Sequence, residues 1–204
     1  MAILTSMANR PLRESQFGRQ RPKLSVLLAT VLSLALCAVV ARADEPQLSE
    51  AQVKAAFLAN FPKYVDWPAE AFAKTNSPIV IAVLGGNKLG DELSKMVAGK
   101  TIEGHPLFMN LVTKDEEITV GCHILFVGAA ERQRFPAILK KMGKAPVLTV
   151  GESDDFLADG GIINLSKQDK RISLVVNLAA ARKAGLRISS KLLNVAHVQK
   201  ETSP

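Results

Sequence analysis

The residues able to do chemistry in this chain are few and far apart. His105, His123 and His197 are widely spaced, and neither H-E-x-x-H nor C-x-x-C occurs, so no zinc signature is present. His123 opens an apolar run and reads as a buried histidine with its hydrogen bonds met; His197 falls in a predicted last helix. Cys122, just before His-Ile-Leu-Phe-Val, reads as a small buried hydrophobe. Gly151-Glu152-Ser153-Asp154-Asp155 approaches a nucleophile elbow but has Asp155 where G-x-S-x-G needs glycine. Its aspartates read instead as the acidic first turn of a helix. Gly85-Gly86-Asn87-Lys88-Leu89-Gly90 lies between a strand and a helix, where backbone N–H groups can hold an anion. It matches neither G-x-G-x-x-G nor a P-loop, and a tight strand-to-helix turn explains it as well. Asp115-Glu116-Glu117 reads as a solvated acidic turn. No nucleophile–base pair, metal set or cofactor fingerprint emerges, so the chain is read as a non-enzyme with no catalytic residue, metal ligand or cofactor; an enzyme of uncharacterised mechanism is the minor alternative, since catalytic groups are assembled in space and not in sequence.

The informative feature is aromatic. The chain has eight Phe, one Tyr and one Trp, and Phe57, Phe61, Tyr64 and Trp67 fall in one short segment. Such a cluster marks a core keystone or an interface anchor. Phe57, Phe61 and Tyr64 continue from Val53 at helical spacing and are expected in the core. Trp67 and Pro68 lie beyond Pro62, which must break that helix. Lys63, Trp67 and Pro68 are therefore candidates for partner binding. Arg182, Lys183, Arg187 and Lys191 offer either a basic rim or an ordinary solvated face; Arg182 and Lys191 are carried forward as candidates.

These residues need a scaffold. Ser49-Glu50-Ala51-Gln52 is a capping box, so a helix starts there. Pro78–Leu84, Pro106–Val112, His123–Val127 and Pro146–Val150 are short apolar runs that read as strands. Between them, Leu89–Val97 and Glu131–Met142 read as helices. Gly161–Ser166 and Arg171–Val176 flank a polar turn, Lys167–Lys170, and predict an antiparallel hairpin. Helices over Asn177–Ala184 and Ser189–Val198 follow. Strands alternating with helices predict an α/β fold: one three-layer domain, a mostly parallel sheet with helices on both faces, and the hairpin at the C-terminal side.

The first 43 residues have the layout of a secretory leader. Arg10, Arg13, Arg19, Arg21 and Lys23 precede the apolar run Leu24–Val40, and Ala41-Arg42-Ala43 is an A-x-A site, which puts cleavage between Ala43 and Asp44. The alternatives are an uncleaved anchor or a lipoprotein on Cys37, where the bulky Leu36 fits poorly. The chain's net charge of +7 belongs mainly to this leader. Six of 26 basic and one of 19 acidic residues lie there, leaving 20 against 18 in residues 44–204. No basic stripe interleaved with aromatics remains, so nucleic acid is not an expected partner. With Cys37 removed, Cys122 has no intramolecular disulfide partner.

Several segments together resemble one family. They are Asn60-Phe61-x-Lys63-Tyr64-Val65-x-Trp67-Pro68; Val83-Leu84-Gly85 with Leu89-Gly90-Asp91; Gly99-Lys100-Thr101-Ile102; Cys122–Gly128; Val147–Gly151; Gly160–Leu165; and Asn177-Leu178 continuing to Gly185-Leu186-x-Ile188-Ser189-Ser190-Lys191-Leu192-Leu193. In order and spacing the chain is similar to the YfiR family of exported bacterial proteins. The resemblance implies a periplasmic α/β domain without catalytic residues. It implies a repressor that holds the periplasmic domain of an inner-membrane diguanylate cyclase inactive, and a homodimer. A small-molecule sensor or carrier, with a pocket near Gly85, Gly128 and Gly151, is the alternative. Pro62 and the lone Cys122 depart from the family pattern, so control by an internal disulfide is not expected.

Overall fold

The computed structural model describes residues 48–118, 121–168 and 171–199. The expected leader, residues 1–43, and its Ala43–Asp44 boundary lie outside them.

Helix α1 (Glu50–Asn60) starts at the capping box. Ser49 Oγ accepts from the Gln52 N–H at 3.2 Å, and Gln52 Oε1 accepts from the Ser49 N–H at 2.9 Å. It stops before Pro62, which sits in a turn of 3-10 helix, Phe61–Lys63. Its buried face differs from the expected stripe. Ala55, Leu58, Ala59 and the stem of Lys54 are buried, whereas Val53 and Phe57 are half-buried. The two alanines let α1 share one core with Leu89, Leu93 and Val97 of α2 (Asn87–Val97), a role that a stripe of large residues does not reveal.

The short strands β1 (Val65–Asp66) and β9 (Arg187–Ile188) form their own antiparallel pair. The main sheet has the order β10-β8-β7-β6-β5-β2-β4-β3. Its centre is β2 (Ile79–Leu84), parallel to β4 (His105–Val112) on one side and β5 (Ile124–Val127) on the other. Then β6 (Leu148–Gly151) and β7 (Ile163–Gln168) continue in parallel. The expected hairpin is present, β7 with β8 (Arg171–Val176), and Lys167 and Gln168 prolong the strand into the predicted turn. A two-residue turn carries β3 (Thr101–Ile102) back into β4. The strands β5 and β6 are buried throughout, as expected where helices cover both faces. Alternate residues feed two cores. Ile81, Val83, Ile124, Phe126, Leu148 and Val150 meet α1 and α2 on one face. Ala82, Leu84, Leu125 and Val127 meet Phe135 and Ile138 of α4 (Phe135–Met142) on the other.

Three expectations fail locally. Residues 129–134 form 3-10 helix before α4, because Pro136 belongs at the first turn of an α-helix. Asp154 and Asp155 lie in successive turns and begin no regular helix. The helix predicted over Ser189–Val198 covers only α6 (Ser190–Leu193), after α5 (Leu178–Lys183) and β9. His197 and Val198 form β10, parallel to β8 at Val175 and Val176, and the Gln199 N–H reaches the Val176 carbonyl at 2.9 Å. The free edge of β8 offers backbone partners that a solvated helix end lacks, so His197 is an exposed strand residue. Asp115–Ile118 form one helical turn, α3, whose Glu117 carboxylate caps the Thr113 N–H at 3.2 Å.

Candidate functional site

The ladder between β1 and β9 joins the two most distinctive sequence segments. Val65 faces Ile188 and Asp66 faces Arg187, with the Arg187 guanidinium 3.5 Å from the Asp66 carboxylate. The Ser189 N–H extends the ladder to the Tyr64 carbonyl at 2.8 Å. Lys63 ends the 3-10 turn beside this junction, exposed, and its ammonium donates to Asn60 Oδ1 at 3.0 Å. Lys191 lies in α6, two residues after Ser189, which caps that helix. Arg182 is exposed on α5, whose buried contact is Ala181. Two of the candidates, Lys63 and Lys191, therefore flank one seam, and Arg182 sits on the helix leading into it.

Trp67 and Pro68 lie where β1 turns down to the start of the sheet. Pro68 introduces a 3-10 turn, Ala69–Ala71. The Trp67 ring is half-buried and meets His123 edge-on, with centroids 6.2 Å apart. Its Nε1–H is buried and has no acceptor among the described residues. Below it, Phe72 is sandwiched between His105 and His123, at centroid distances of 4.3 and 4.8 Å. Both nitrogens of His123 are used: Nδ1 accepts from the Val80 N–H at 3.2 Å, and Nε2–H donates to the Ala71 carbonyl at 3.1 Å. His105 Nδ1–H donates to the Ser77 carbonyl at 2.7 Å. These bonds hold the 66–78 segment against β2 and β4. Burial holds the His123 pKa below its ordinary value; the Ala71 bond opposes this and the neighbouring His105 adds to it. His123 is thus the satisfied core histidine that its apolar flank suggests. Cys122 is equally inert. Its Sγ–H donates to the Ile118 carbonyl at 3.1 Å, and burial pushes its pKa up to about 11.

The strand ends form the second place where chemistry might gather. The chain order reverses between β2 and β5, the usual ligand crevice of an open α/β sheet. A cleft of about 500 Å³ opens there, lined by Gly86, Phe126, Lys54, Lys88 and Glu152. Gly85 and Gly86 have φ of 69° and 92°, and the position of a Gly128 side chain would lie 3.3 Å from the Gly85 backbone, so the loops close tightly. Lys54, with only 9% of its side chain exposed, is gripped by the carboxylates of Glu50 and Glu152. Glu152 also accepts from the Ala129 N–H at 2.9 Å, and Glu50 holds Lys167 at 2.8 Å. Burial pulls the Lys54 pKa down, but the Glu152 and Glu50 hydrogen bonds outweigh it and the ammonium is held above its usual range. Lys167, then Lys54, bring the Glu50 pKa down to about 2. The ions here satisfy one another, and no nucleophile stands beside a base. Sequence spacing did not disclose this four-residue ion cluster, because its members come from α1, the β6 exit and β7. Among the described residues, no three His, Cys, Asp or Glu side chains are placed to hold a metal.

Known proteins bear on this geometry in two ways. A solved structure described as a conserved domain protein from Vibrio cholerae matches with a TM-score of 0.52 and 14% identity, over 75% of this chain. The chain spans 61% of that protein's length, and the likeness is one of fold. The curated proteins offer no significant match. A family model described as YfiR/HmsC-like matches residues 51–197, from the first turn of α1 through His197 of β10. This span takes in both sides of the β1–β9 seam and the whole α/β sheet, and the chain belongs to the YfiR/HmsC-like family.

Proposed function

We propose that this protein is a periplasmic signalling protein that binds the periplasmic domain of an inner-membrane sensor, such as a diguanylate cyclase, and keeps it inactive. Family membership supports the regulatory theme. The observation that supports this choice of surface is the β1–β9 ladder, which pairs the segment carrying Lys63 with the segment leading to Lys191, both exposed. Trp67 and Pro68 follow β1 directly, and Arg182 lies on the helix that precedes β9. A rim of this kind accelerates encounter with an acidic partner more than it tightens the complex. Export through cleavage at Ala43–Asp44 belongs to the same proposal, since the partner's domain would lie across the inner membrane. Deleting the gene should raise cellular cyclic di-GMP, and Lys63→Glu with Lys191→Glu should slow association with the sensor domain at least tenfold while leaving the fold intact. Unchanged cyclic di-GMP in the deletion strain, with no binding to any sensor domain encoded nearby, would overturn the reading.

A small-molecule sensor or carrier is the second reading, and the strand-end cleft favours it. It predicts ligand-dependent thermal stabilisation across a metabolite panel. Glu152→Gln would change that stabilisation, because Glu152 lines the cleft. A flat response to the whole panel would remove it.

A further inference from the structure

The end of the sheet opposite the strand-end cleft holds a second cavity. Strand β6 starts at Leu148, but β7 joins it only at Ile163, opposite Val150. Before that point no strand lies beside the flank of β6. Helix α4 packs on one face of the sheet there and α5 on the other. Between them a cleft of about 520 Å³ remains, within the ~300–1,000 Å³ typical of small-molecule sites. Its walls are apolar: Leu139 and Met142 from α4, Val147 and Ile162 from the strand entries, Ala180 and Ala184 from α5 and its cap. The two alanines lie one turn apart and supply only methyl groups. The one buried polar side chain in the cleft is Thr149, whose oxygen is occupied by the Ile162 N–H at 3.0 Å.

The rim is basic. Lys140, Lys144 and Lys183 stand at it, exposed, against the single carboxylate of Asp159. Lysines at helix ends ordinarily serve the terminal carbonyls. Here backbone N–H groups already take those carbonyls. Gly143 bonds Leu139 at 3.1 Å, Ala145 bonds Met142 at 3.0 Å, Gly185 bonds Arg182 at 3.0 Å and Leu186 bonds Ala181 at 2.9 Å. Among the described residues, no hydrogen bond or ion pair engages the three ammonium groups or the Asp159 carboxylate.

We propose that this cleft binds a single-chain aliphatic carboxylate, a fatty acid, with its chain on the apolar walls and its carboxylate at the lysine rim. The two halves of the site select the two halves of the ligand. A sugar or nucleotide would find no hydrogen-bonding partners on walls of methyl and methylene groups, and its burial there would be costly. A neutral hydrocarbon would leave the three ammonium groups unused, and a cationic amphiphile would be repelled by them. A carboxylate accepts from flexible lysines without needing a fixed fork geometry. The site shares no lining residue with the strand-end cleft and none with the β1–β9 seam, so it goes beyond both readings of function.

The test is calorimetric titration of the purified protein with decanoate, kept below the concentration at which it forms micelles. One decanoate should bind per chain, and 1-decanol and decyltrimethylammonium should each bind at least tenfold more weakly. Lys140→Glu, Lys144→Glu and Lys183→Glu combined, all at exposed positions, should weaken decanoate binding at least tenfold with an unchanged circular dichroism spectrum. Ala184→Phe, which puts a ring into the cleft, should abolish binding; if that variant fails to fold, the charge reversal decides. Absence of decanoate binding would overturn the proposal, as would equal affinity for the three probes or an affinity that survives the charge reversal. Binding to phosphatidylglycerol vesicles without binding of free decanoate would also overturn it, since the lysines would then meet a membrane surface.

Discussion

Protonating His123 removes the hydrogen bond it accepts from the Val80 N–H and sets two N–H groups against each other. Its pKa is depressed in the folded protein, so the unfolded chain binds the extra proton more readily. The sign follows: this contribution to stability is complete above the ordinary histidine pKa near ~6.5 and is lost as pH falls toward the folded value. His105 is the titratable group that acts on the ring, and Glu70, Lys141 and Cys122 line the same cavity as His123. Melting temperature should therefore decline below about pH 6.5, and His123→Gln should flatten that decline while lowering stability at neutral pH. Trp67 gives a second expectation. Trp67→Phe discards the orphaned Nε1–H while keeping an aromatic ring against His123, so it should alter the unfolding free energy obtained from urea titration by less than about 1 kcal/mol. Trp67→Ala should cost about 2–3 kcal/mol, below the range for a fully buried ring. Residue chemistry was legible in the sequence where it depended on immediate neighbours. The apolar flank of His123 announced a buried ring, and the setting of Cys122 a quiet thiol. The His105–Phe72–His123 stack was not legible, since three separate segments meet to build it.

At the scale of elements, Lys54 ties α1 to the exit of β6, while Glu50 ties α1 to β7. Lys54→Ala leaves two carboxylates facing one another without their cation. Because Glu50 and Glu152 keep some solvent, the loss should be about 3 kcal/mol, the low end for breaking a buried pair. The Glu50 share is sensitive to acid. Its folded pKa is depressed to about 2, so its stabilisation is present above the ordinary carboxylate range and disappears as pH falls through the folded value. With 41% of its side chain exposed, Glu50 is also screened by salt. Unfolding followed at pH 3 in low and high salt should show Glu50→Gln differing from the parent mainly in low salt. Ser49→Ala should cost about 1 kcal/mol through loss of the cap. Most elements could be read from the sequence because local signals agreed: the capping box, the break at Pro62, and β-branched runs ending in glycine. The C-terminal helix could not. Leu192 and Leu193 continue a helical pattern, yet pairing with the edge of β8 draws His197 and Val198 into a strand, a long-range gain that periodicity does not register.

For the whole molecule, the α/β class and the hairpin followed from the alternation of strands and helices. The strand order and the two-stranded β1–β9 sheet did not, because two-residue strands leave no periodic trace. That small sheet has a consequence for the order in which the protein becomes competent. Its halves come from near the two ends of the domain, so the proposed docking seam exists only after almost the entire chain has been synthesised. A nascent or prematurely terminated chain ending before Arg187 would retain β2 through β8 but present no seam. Such fragments should fail to silence a sensor even where they accumulate. An arrested chain released at residue 186 should show no binding in a pull-down, whereas one released at residue 199 should bind as the full protein does. On the proposed reading, closing the seam last would confine repression to chains that extend through β9.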